Sequence, residues 1–341
     1  MFKRKHIFFG VATVLAATAF GVGQLGPNGE TRYATDAYPA FDDVDAVIKP
    51  EKKTPRFFAF VNGPKKDDAA SQFAWCQACE LEGSASAAIK GYDALVREWP
   101  TADEAPKAQL RLAELLFAEQ DYEEAFAAYR YLLDFYSNRC DFNKVAAAMY
   151  KVAEVMRIEG KTILFFRFRN TADVRRAYEA LVLRAPGAAF VPDALLTIAA
   201  LREDEERLEQ AITVYENLRN LYPGTPQSGT AYLREARDRM KLVKALGYNR
   251  ARTRDTLDFL HLARRQAQDE AALSEVGGYI GEVEALLEDE AWKAAVFYDT
   301  RMRTKRSAVN ALEKYLSEYS AGAHAEEARL RLQALKEGEA K

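Results

Sequence analysis

Cys76 and Cys79, in the run Cys76-Gln77-Ala78-Cys79, are the residues of this sequence whose type and spacing could carry chemistry. A C-x-x-C pair serves disulfide exchange, metal ligation or, with a following His, haem attachment. Haem attachment requires His at the next position, where Glu80 stands. Disulfide exchange needs a lowered thiol pKa, which redox pairs obtain at a helix N-terminus, whereas the apolar pattern puts both thiols about eight residues into a helix. A metal centre needs further donors, and Cys140, His261 and His324 stand on separate predicted elements. The expectation is two packed, structural thiols, unbonded to each other. A thiol oxidoreductase using Cys76 and Cys79 is the competing enzyme reading.

The sequence holds no Gly-rich phosphate loop, Gly-x-Ser-x-Gly elbow or His-Glu-x-x-His helix, so no enzyme class has a warrant and no cofactor is expected. The acidic run Glu203-Asp204-Glu205-Glu206 reads as a solvated turn between two helices. A second cluster joins Phe165, Phe166 and Phe168 to Arg167, Arg169, Arg175 and Arg176, a mixture suited to a partner or membrane surface. The plainer alternative is that the phenylalanines pack inward and the arginines point to water. Lys+Arg 48 against Asp+Glu 51 gives a formal charge of -3, which is no electrostatic footprint for nucleic acid.

The elements that must carry these residues are helices. With 18 Gly and 11 Pro in 341 residues, breakers are too few for a loop-rich β-sandwich and suit long helices. A hydrophobic fraction of 49% supplies a substantial core. Lys3, Arg4 and Lys5, followed by an apolar stretch over 7–22, have the order of an export signal over residues 1–24, either cleaved near 21–24 or kept as an anchor. Losing those three cations takes the net charge from -3 to -6. No Cys precedes Cys76, so a lipid on a cysteine just after the signal is not expected. Residues 25–66, with Pro27, Pro39, Pro50, Pro55 and Pro64 and no helical periodicity, read as an extended tether. Within it the apolar burst at 57–61 is either a short strand or, preferably, a hook that packs on the first helix.

From residue 67 the pattern is helical and repeats itself. Aligning Ala88 with Ala125 gives a self-match at 37 residues. Ala88-Ile89-Lys90-Gly91-Tyr92 becomes Ala125-Phe126-Ala127-Ala128-Tyr129, then Val174-Arg175-Arg176-Ala177-Tyr178, then Ala211-Ile212-Thr213-Val214-Tyr215. Eight residues after each Tyr stands a helix stop: Pro100, Ser137, Pro186 and Pro223. These residues resemble the tetratricopeptide repeat, a helical hairpin of about 34 residues. On its numbering Trp75, Cys76, Cys79, Gly83, Ala88, Tyr92 and Pro100 fall at positions 7, 8, 11, 15, 20, 24 and 32. Leu112, Ala113, Leu116, Tyr122, Ala125, Tyr129 and Leu132 fill core slots of the second copy. Small residues at 8 and 20 let paired helices approach, and large ones at 7, 11 and 24 fill the space between hairpins.

The third copy departs from the period. Ala125 to Val174 is 49 residues rather than 37, which puts about nine extra residues, 162–170, between its two helices. The resemblance implies an all-α fold, a right-handed α-solenoid of five to six helical hairpins. Repeats one to four occupy 67–225. Divergent helices occupy 226–290, near 231–246, 253–268 and 274–287. A closing hairpin (291–301 and 307–319) with a capping helix (324–336) occupies 291–341.

The closing stretch reads Ala294-Ala295-Val296-Phe297-Tyr298, Ser307-Ala308-Val309-Asn310-Ala311-Leu312-Glu313-Lys314-Tyr315-Leu316 and Glu318-Tyr319-Ser320. It is similar to the last repeat of the BamD family, the repeat lipoproteins of outer-membrane β-barrel assembly, and the likeness extends over roughly 67–335. The missing lipid-attachment Cys and the 162–170 insertion are departures. The resemblance implies a non-enzymatic scaffold in the periplasm or on the periplasmic face of the outer membrane. Its implied partners are the barrel-assembly core protein and unfolded outer-membrane substrates, with membrane association and without nucleic acid. A periplasmic repeat adaptor for cell division or peptidoglycan machinery is the alternative.

The repeat resemblance also implies that first helices line a concave face at positions 5, 9 and 12. Those are Phe73, Gln77 and Glu80, then Leu110, Glu114 and Phe117, then Tyr150, Glu154 and Arg157. Aromatic and apolar groups among carboxylates suit an extended peptide with apolar anchors. Phe165, Phe166, Arg167, Phe168 and Arg169 join them as a candidate partner contact, because nine residues cannot fit between paired helices and must project or lie across a face.

Overall fold

The computed structural model describes residues 63–159, 161–163, 166–168, 171–301 and 305–337, and three two-residue strands ahead of them. Those strands, β1 (Gln24–Leu25), β2 (Thr31–Arg32) and β3 (Val47–Ile48), pair antiparallel in the order β1-β2-β3. Apart from Gln24, the last residue of the expected export signal, they lie in the stretch expected to be an extended tether. The remainder of that tether, its 57–61 burst and residues 1–23 of the expected export signal lie outside the described residues.

The chain divides into two compact units, Met1–Gln227 and Ser228–Lys341. The first holds four hairpins: α1 (Ala69–Leu81) with α2 (Ala85–Glu98), α3 (Ala105–Ala118) with α4 (Tyr122–Phe135), α5 (Phe142–Glu159) with α6 (Thr171–Arg184), and α7 (Val191–Asp204) with α8 (Leu208–Leu221). Each helix packs on the next, so hairpins stack as well as fold. Ala88, Ala125 and Ala211 are fully buried, as are Tyr92, Tyr178 and Tyr215. The predicted small and large slots are therefore the core. Trp75, expected to fill slot 7, is only half-buried.

The turns inside the hairpins share one device. Gly83, Gln120 and Glu206, all at repeat position 15, have φ of 77°, 68° and 60°. The following amide then reaches back to a carbonyl that the helix leaves unpaired: Ser84 N to Cys79 O at 2.8 Å, Asp121 N to Leu116 O and Arg207 N to Arg202 O at 2.9 Å. At Gln120 and Glu206 the left-handed conformation costs about 1–2 kcal/mol.

Further bonds recur with the repeat. Tyr136 Oη donates to Pro100 O at 2.8 Å and Tyr222 Oη to Pro186 O at 2.6 Å, tying each second helix to the stop of the preceding hairpin. Gln72 Nε2 donates to Gly91 O at 3.2 Å and Gln109 Nε2 to Ala128 O at 3.0 Å, so each buried amide closes its own hairpin.

The insertion forms a β-ribbon. β4 (Lys161–Ile163) pairs antiparallel with β5 (Phe166–Phe168), Lys161 facing Phe168 and Ile163 facing Phe166.

The second unit is built from α9 (Pro226–Ala245), which starts just before the boundary, α10 (Arg250–Arg265), α11 (Glu270–Arg301), α12 (Lys305–Glu318) and α13 (Ala325–Glu337). One apolar cluster unites Met240 of α9, Phe259 and Leu260 of α10 and Val276, Ile280 and Val283 of α11. Another unites Trp292 of α11, Leu312 and Tyr315 of α12 and Ala328 of α13. The expected helices at 274–287 and 291–301 are thus one helix of 32 residues. The intervening Glu288-Asp289-Glu290 holds neither Gly nor Pro to break the helix. Lys293 braces it from within the helix, with Nζ 2.7 Å from Asp289 and 2.8 Å from Glu290.

Candidate functional site

The cysteines are packed core. Cys76 is fully buried and Cys79 nearly so, both thiols are free, and Gln72 Nε2 approaches Cys76 Sγ at 3.7 Å. They lie in the second half of α1, away from its N-terminus, where Asp68 accepts from Ser71 N at 2.9 Å. Burial pushes the Cys76 thiol up to about 12, the opposite of an activated nucleophile. We expect neither Cys76 nor Cys79 to react with a maleimide at pH 7 in the native protein, while both react in urea. Cys76→Ala should cost little, and Cys79→Ser about 1–3 kcal/mol for an unpartnered buried hydroxyl. Rapid native labelling, or insulin reduction by the purified chain, would restore the oxidoreductase reading. Among the described residues no group of three His, Cys, Asp or Glu is placed to hold a metal.

The predicted face residues stand on the first helices of repeats one to three, α1, α3 and α5. Phe73 of α1 tilts against Tyr92 at 5.5 Å between ring centroids, and Phe117 of α3 against Tyr122 at 5.7 Å. Tyr150 of α5 stacks on Phe190 at 4.7 Å, with planes 6° apart. Leu110 is half-buried between them in sequence, and Gln77 is exposed. Two large aliphatics missed by the 5-9-12 rule stand open to water at repeat position 13: Leu81 is 91% exposed and Ile158 is 60% exposed.

The carboxylates among these residues are each paired. Glu80 accepts from Tyr92 Oη at 2.6 Å and from the guanidinium of Arg111, which also pairs with Glu114. Glu154 pairs with Arg157 at 2.8 Å and accepts from Tyr178 Oη. Lys151 Nζ sits 5.3 Å from the centroid of the Phe117 ring. Arg111 lies at position 6, which the predicted rows did not include. Burial opposes charge on Glu80, but the bonds from Arg111 and Tyr92 outweigh it and hold the carboxyl below its ordinary value. Burial likewise opposes Glu154, and Arg157 and Tyr178 outweigh it. The Tyr92 and Tyr178 hydroxyls are correspondingly pushed up, first by burial and then by their carboxylates.

This sets a pH dependence. A carboxyl with a depressed folded pKa stabilises the fold fully above its unfolded value, about 4.3, and loses that contribution as pH falls through the folded value. We expect Glu80→Gln to lower the urea midpoint of the first unit at pH 7. The gap from the wild type should close as pH falls below about 4.3 and through the lower folded value of Glu80. A gap that stays constant with pH would remove Glu80 from the network.

Two other predicted groups are placed differently from expectation. Glu203 closes α7 and accepts from Tyr215 Oη, and Glu205 pairs with Arg175, so half of the acidic run is structural rather than solvated. Arg175, read with the exposed basic-aromatic cluster, is 1% exposed, whereas Arg176 is exposed. Arg175 pairs with Glu179 one turn on in α6 and with Glu205 just after α7. Phe166, Arg167 and Phe168 lie on β5, and Phe165 and Arg169 lie outside the described residues.

The family model for the tetratricopeptide repeat matches residues 107–139 and 193–225, which fall on α3–α4 and α7–α8. No curated protein matches the chain. Among solved structures, the chain is similar to a MamA RS-1 ArsTM double mutant, with 16% identity, 64% of this chain and 96% of that chain covered, and a TM-score of 0.29. It is similar to a tetratricopeptide repeat protein from Parabacteroides merdae, with 12% identity, 79% and 98% coverage and a TM-score of 0.28. It is also similar to the C-terminal part of a repeat-containing protein from Cytophaga hutchinsonii, with 13% identity, 77% and 88% coverage and a TM-score of 0.29. The family model for the tetratricopeptide repeat thus falls on the second and fourth hairpins, where Ala113, Ala125, Ala199 and Ala211 are fully buried and Tyr129 and Tyr215 lie in the core.

Proposed function

We propose that the protein is a non-enzymatic scaffold that holds an extended segment of a partner protein on the first-helix face of its first unit. The observation that carries this reading is the row of half-buried Phe73, Leu110, Phe117 and Tyr150, edged by exposed Leu81 and Ile158. Apolar side chains open to water along a rigid helical face are the usual mark of a protein-binding surface.

The finer reading is a role in outer-membrane β-barrel assembly at the periplasmic face of that membrane. It is supported by the closing stretch 294–320 and by the charged-then-apolar order of the first 22 residues. In this reading the β4–β5 ribbon, rich in Phe and Arg, is a second contact for the partner. The test is a photo-crosslinker at position 117 in cells, with envelope fractions probed for the barrel-assembly core protein. A crosslinked band is expected, weakened when Phe165, Phe166 and Phe168 are replaced together by Ser. Recovery of division or peptidoglycan proteins instead would transfer the scaffold to that machinery. A melting temperature lowered by the triple replacement with unchanged crosslinking would make the ribbon a packing element.

A further inference from the structure

The long helix α11 ends on two neighbouring aromatics that face water. Phe297 is 53% exposed and Tyr298 is 41% exposed, their rings edge to face at 5.8 Å between centroids. Three elements meet at this end of the second unit. α13 runs alongside α11 in the same direction: His324 at its start stacks on Trp292 at 5.0 Å, and seven residues further along both chains Arg331 pairs with Asp299 at 3.0 Å. α12 begins here at Lys305 and meets α13 again where Glu313 pairs with Lys336 at 2.7 Å.

The same end carries an excess of positive charge. Between Asp299 and Glu313 stand Arg301, Arg303, Lys305 and Arg306 and no acid. Both flanking acids are taken, Asp299 by Arg331 and Glu313 by Lys336. Within α13, Arg329 pairs with Glu326 and Arg331 also with Glu327, and the one further acid, Glu337, accepts from Gln333 at 2.8 Å. Lys305 and Arg306 are exposed in the first turn of α12. Cations at a helix N-terminus oppose its dipole, so the stability of α12 does not account for them.

We infer that this end of the second unit docks on an anionic phospholipid surface, with Phe297 and Tyr298 entering the headgroup layer and Lys305 and Arg306 meeting its phosphates. The surface is separate from the peptide face of the first unit, and the inference does not rest on that face. Aromatic rings gain by leaving water for the headgroup layer, and each Lys or Arg within a Debye length of an anionic leaflet adds attraction. A second copy of the chain would set the cationic excess against itself. An acidic peptide would answer the cations, but peptides are held along grooves or sheet edges. Here the rings and cations stand at the ends of helices, where a plane reaches them together.

The test uses the full-length chain carrying Cys140→Ser and Tyr298→Cys, labelled at position 298 with NBD, a dye that brightens and shifts to the blue on leaving water. Cys76 and Cys79 are buried and stay unlabelled. Phosphatidylcholine vesicles with about 30% phosphatidylglycerol should shift the dye, and phosphatidylcholine alone should not. The same label on Ser274→Cys, exposed near the start of α11, should stay in water with both, which sets aside attachment by another part of the chain. Lys305→Glu with Arg306→Glu should weaken binding at least about tenfold, and Phe297→Ser about fivefold. Acids suit the first turn of α12 and Phe297 is exposed, so both variants should keep the fold, as far-UV circular dichroism checks. About 500 mM NaCl should release the unsubstituted surface. An unmoved dye at 298 with anionic vesicles, an equal shift with neutral ones, or binding untouched by the double Glu variant would overturn the inference. A dye that ignores vesicles but responds to poly-glutamate would overturn it too and give this surface to an acidic protein. Crosslinking at position 117 reads the first unit alone, so the two readings fail separately.

Discussion

Gly91→Leu should loosen the first hairpin, lowering its stability by about 3 kcal/mol or more. Gly91 faces α1 from the middle of α2, and a Cβ there would lie 2.6 Å from Cys76 Sγ, 2.7 Å from Trp75 Cζ3 and 3.2 Å from Gln72 Nε2. None of these neighbours can swing away cheaply. Cys76 is fully buried, Trp75 is a rigid indole, and Gln72 is held by its bond to Gly91 O. Even Ala tests the balance. Ala gains up to about 1 kcal/mol over Gly in a helix interior, yet overpacking a filled core costs about 1–3 kcal/mol, so Gly91→Ala should still destabilise. Removing the obstacle checks the cause: Cys76→Ala in the Gly91→Ala background should recover much of the loss, a coupling that a double-mutant cycle reads directly. Two units make a single melting curve hard to interpret, so the measurement is hydrogen exchange over residues 69–98. Unchanged protection in Gly91→Leu would mean that the helices separate without cost, and the close-packing account would fail.

Glu179→Ala should act on a similar scale in the third and fourth repeats. Glu179 is fully buried on α6 and is shared by Arg175, 2.9 Å and 3.0 Å away through its two oxygens, and by Arg202 of α7 at 3.1 Å. Arg175 and Arg202 are themselves 1% and 0% exposed. Removing the shared carboxylate leaves two buried guanidiniums with less compensating charge, for an expected loss of about 3–5 kcal/mol. The triple change Arg175→Met, Glu179→Leu and Arg202→Met should recover part of it, because apolar replacements of similar volume remove the three fully buried charges and leave Glu205 to Arg207. Urea midpoints and exchange over 171–204 read both variants. A single variant within about 0.5 kcal/mol of wild type would show that water reaches the cluster.

The stacking of the first unit was legible in the sequence because the repeat slots select residues by size. Ala88, Ala125 and Ala211, with Tyr92, Tyr178 and Tyr215, recur where a small or a large side chain alone will pack. Cys76 and Cys79 were legible for the same reason, as slot residues first and thiols second. What a long side chain reaches was not legible. Arg111 finds Glu80, 31 residues earlier, only because α3 stacks against the preceding hairpin, and no local pattern announces that pairing. Burial of Arg175 was hidden in the same way, since Arg175 and Arg176 look alike in sequence and point to opposite surroundings. Backbone devices were partly visible. Gly83 marks its left-handed turn, but Gln120 and Glu206 adopt the same conformation because the hairpin closure imposes it. The ribbon strands at 161–163 and 166–168 escaped because a three-residue strand carries almost no periodicity, and the long α11 escaped because its apolar pattern falls into two parts, one for each apolar cluster.

That long helix changes how the second unit can come apart. Stacked repeats ordinarily peel from an open end, one hairpin after another, because each touches only its neighbours. Here α11, about 48 Å of continuous helix at 1.5 Å per residue, carries Val276, Ile280 and Val283 in one apolar cluster and Trp292 in the next. Tension applied at the C-terminus would therefore travel along a single rod, and loosening Trp292 would lever on Val283. The two clusters share one mechanical element, so under load the unit should yield in a single step rather than hairpin by hairpin.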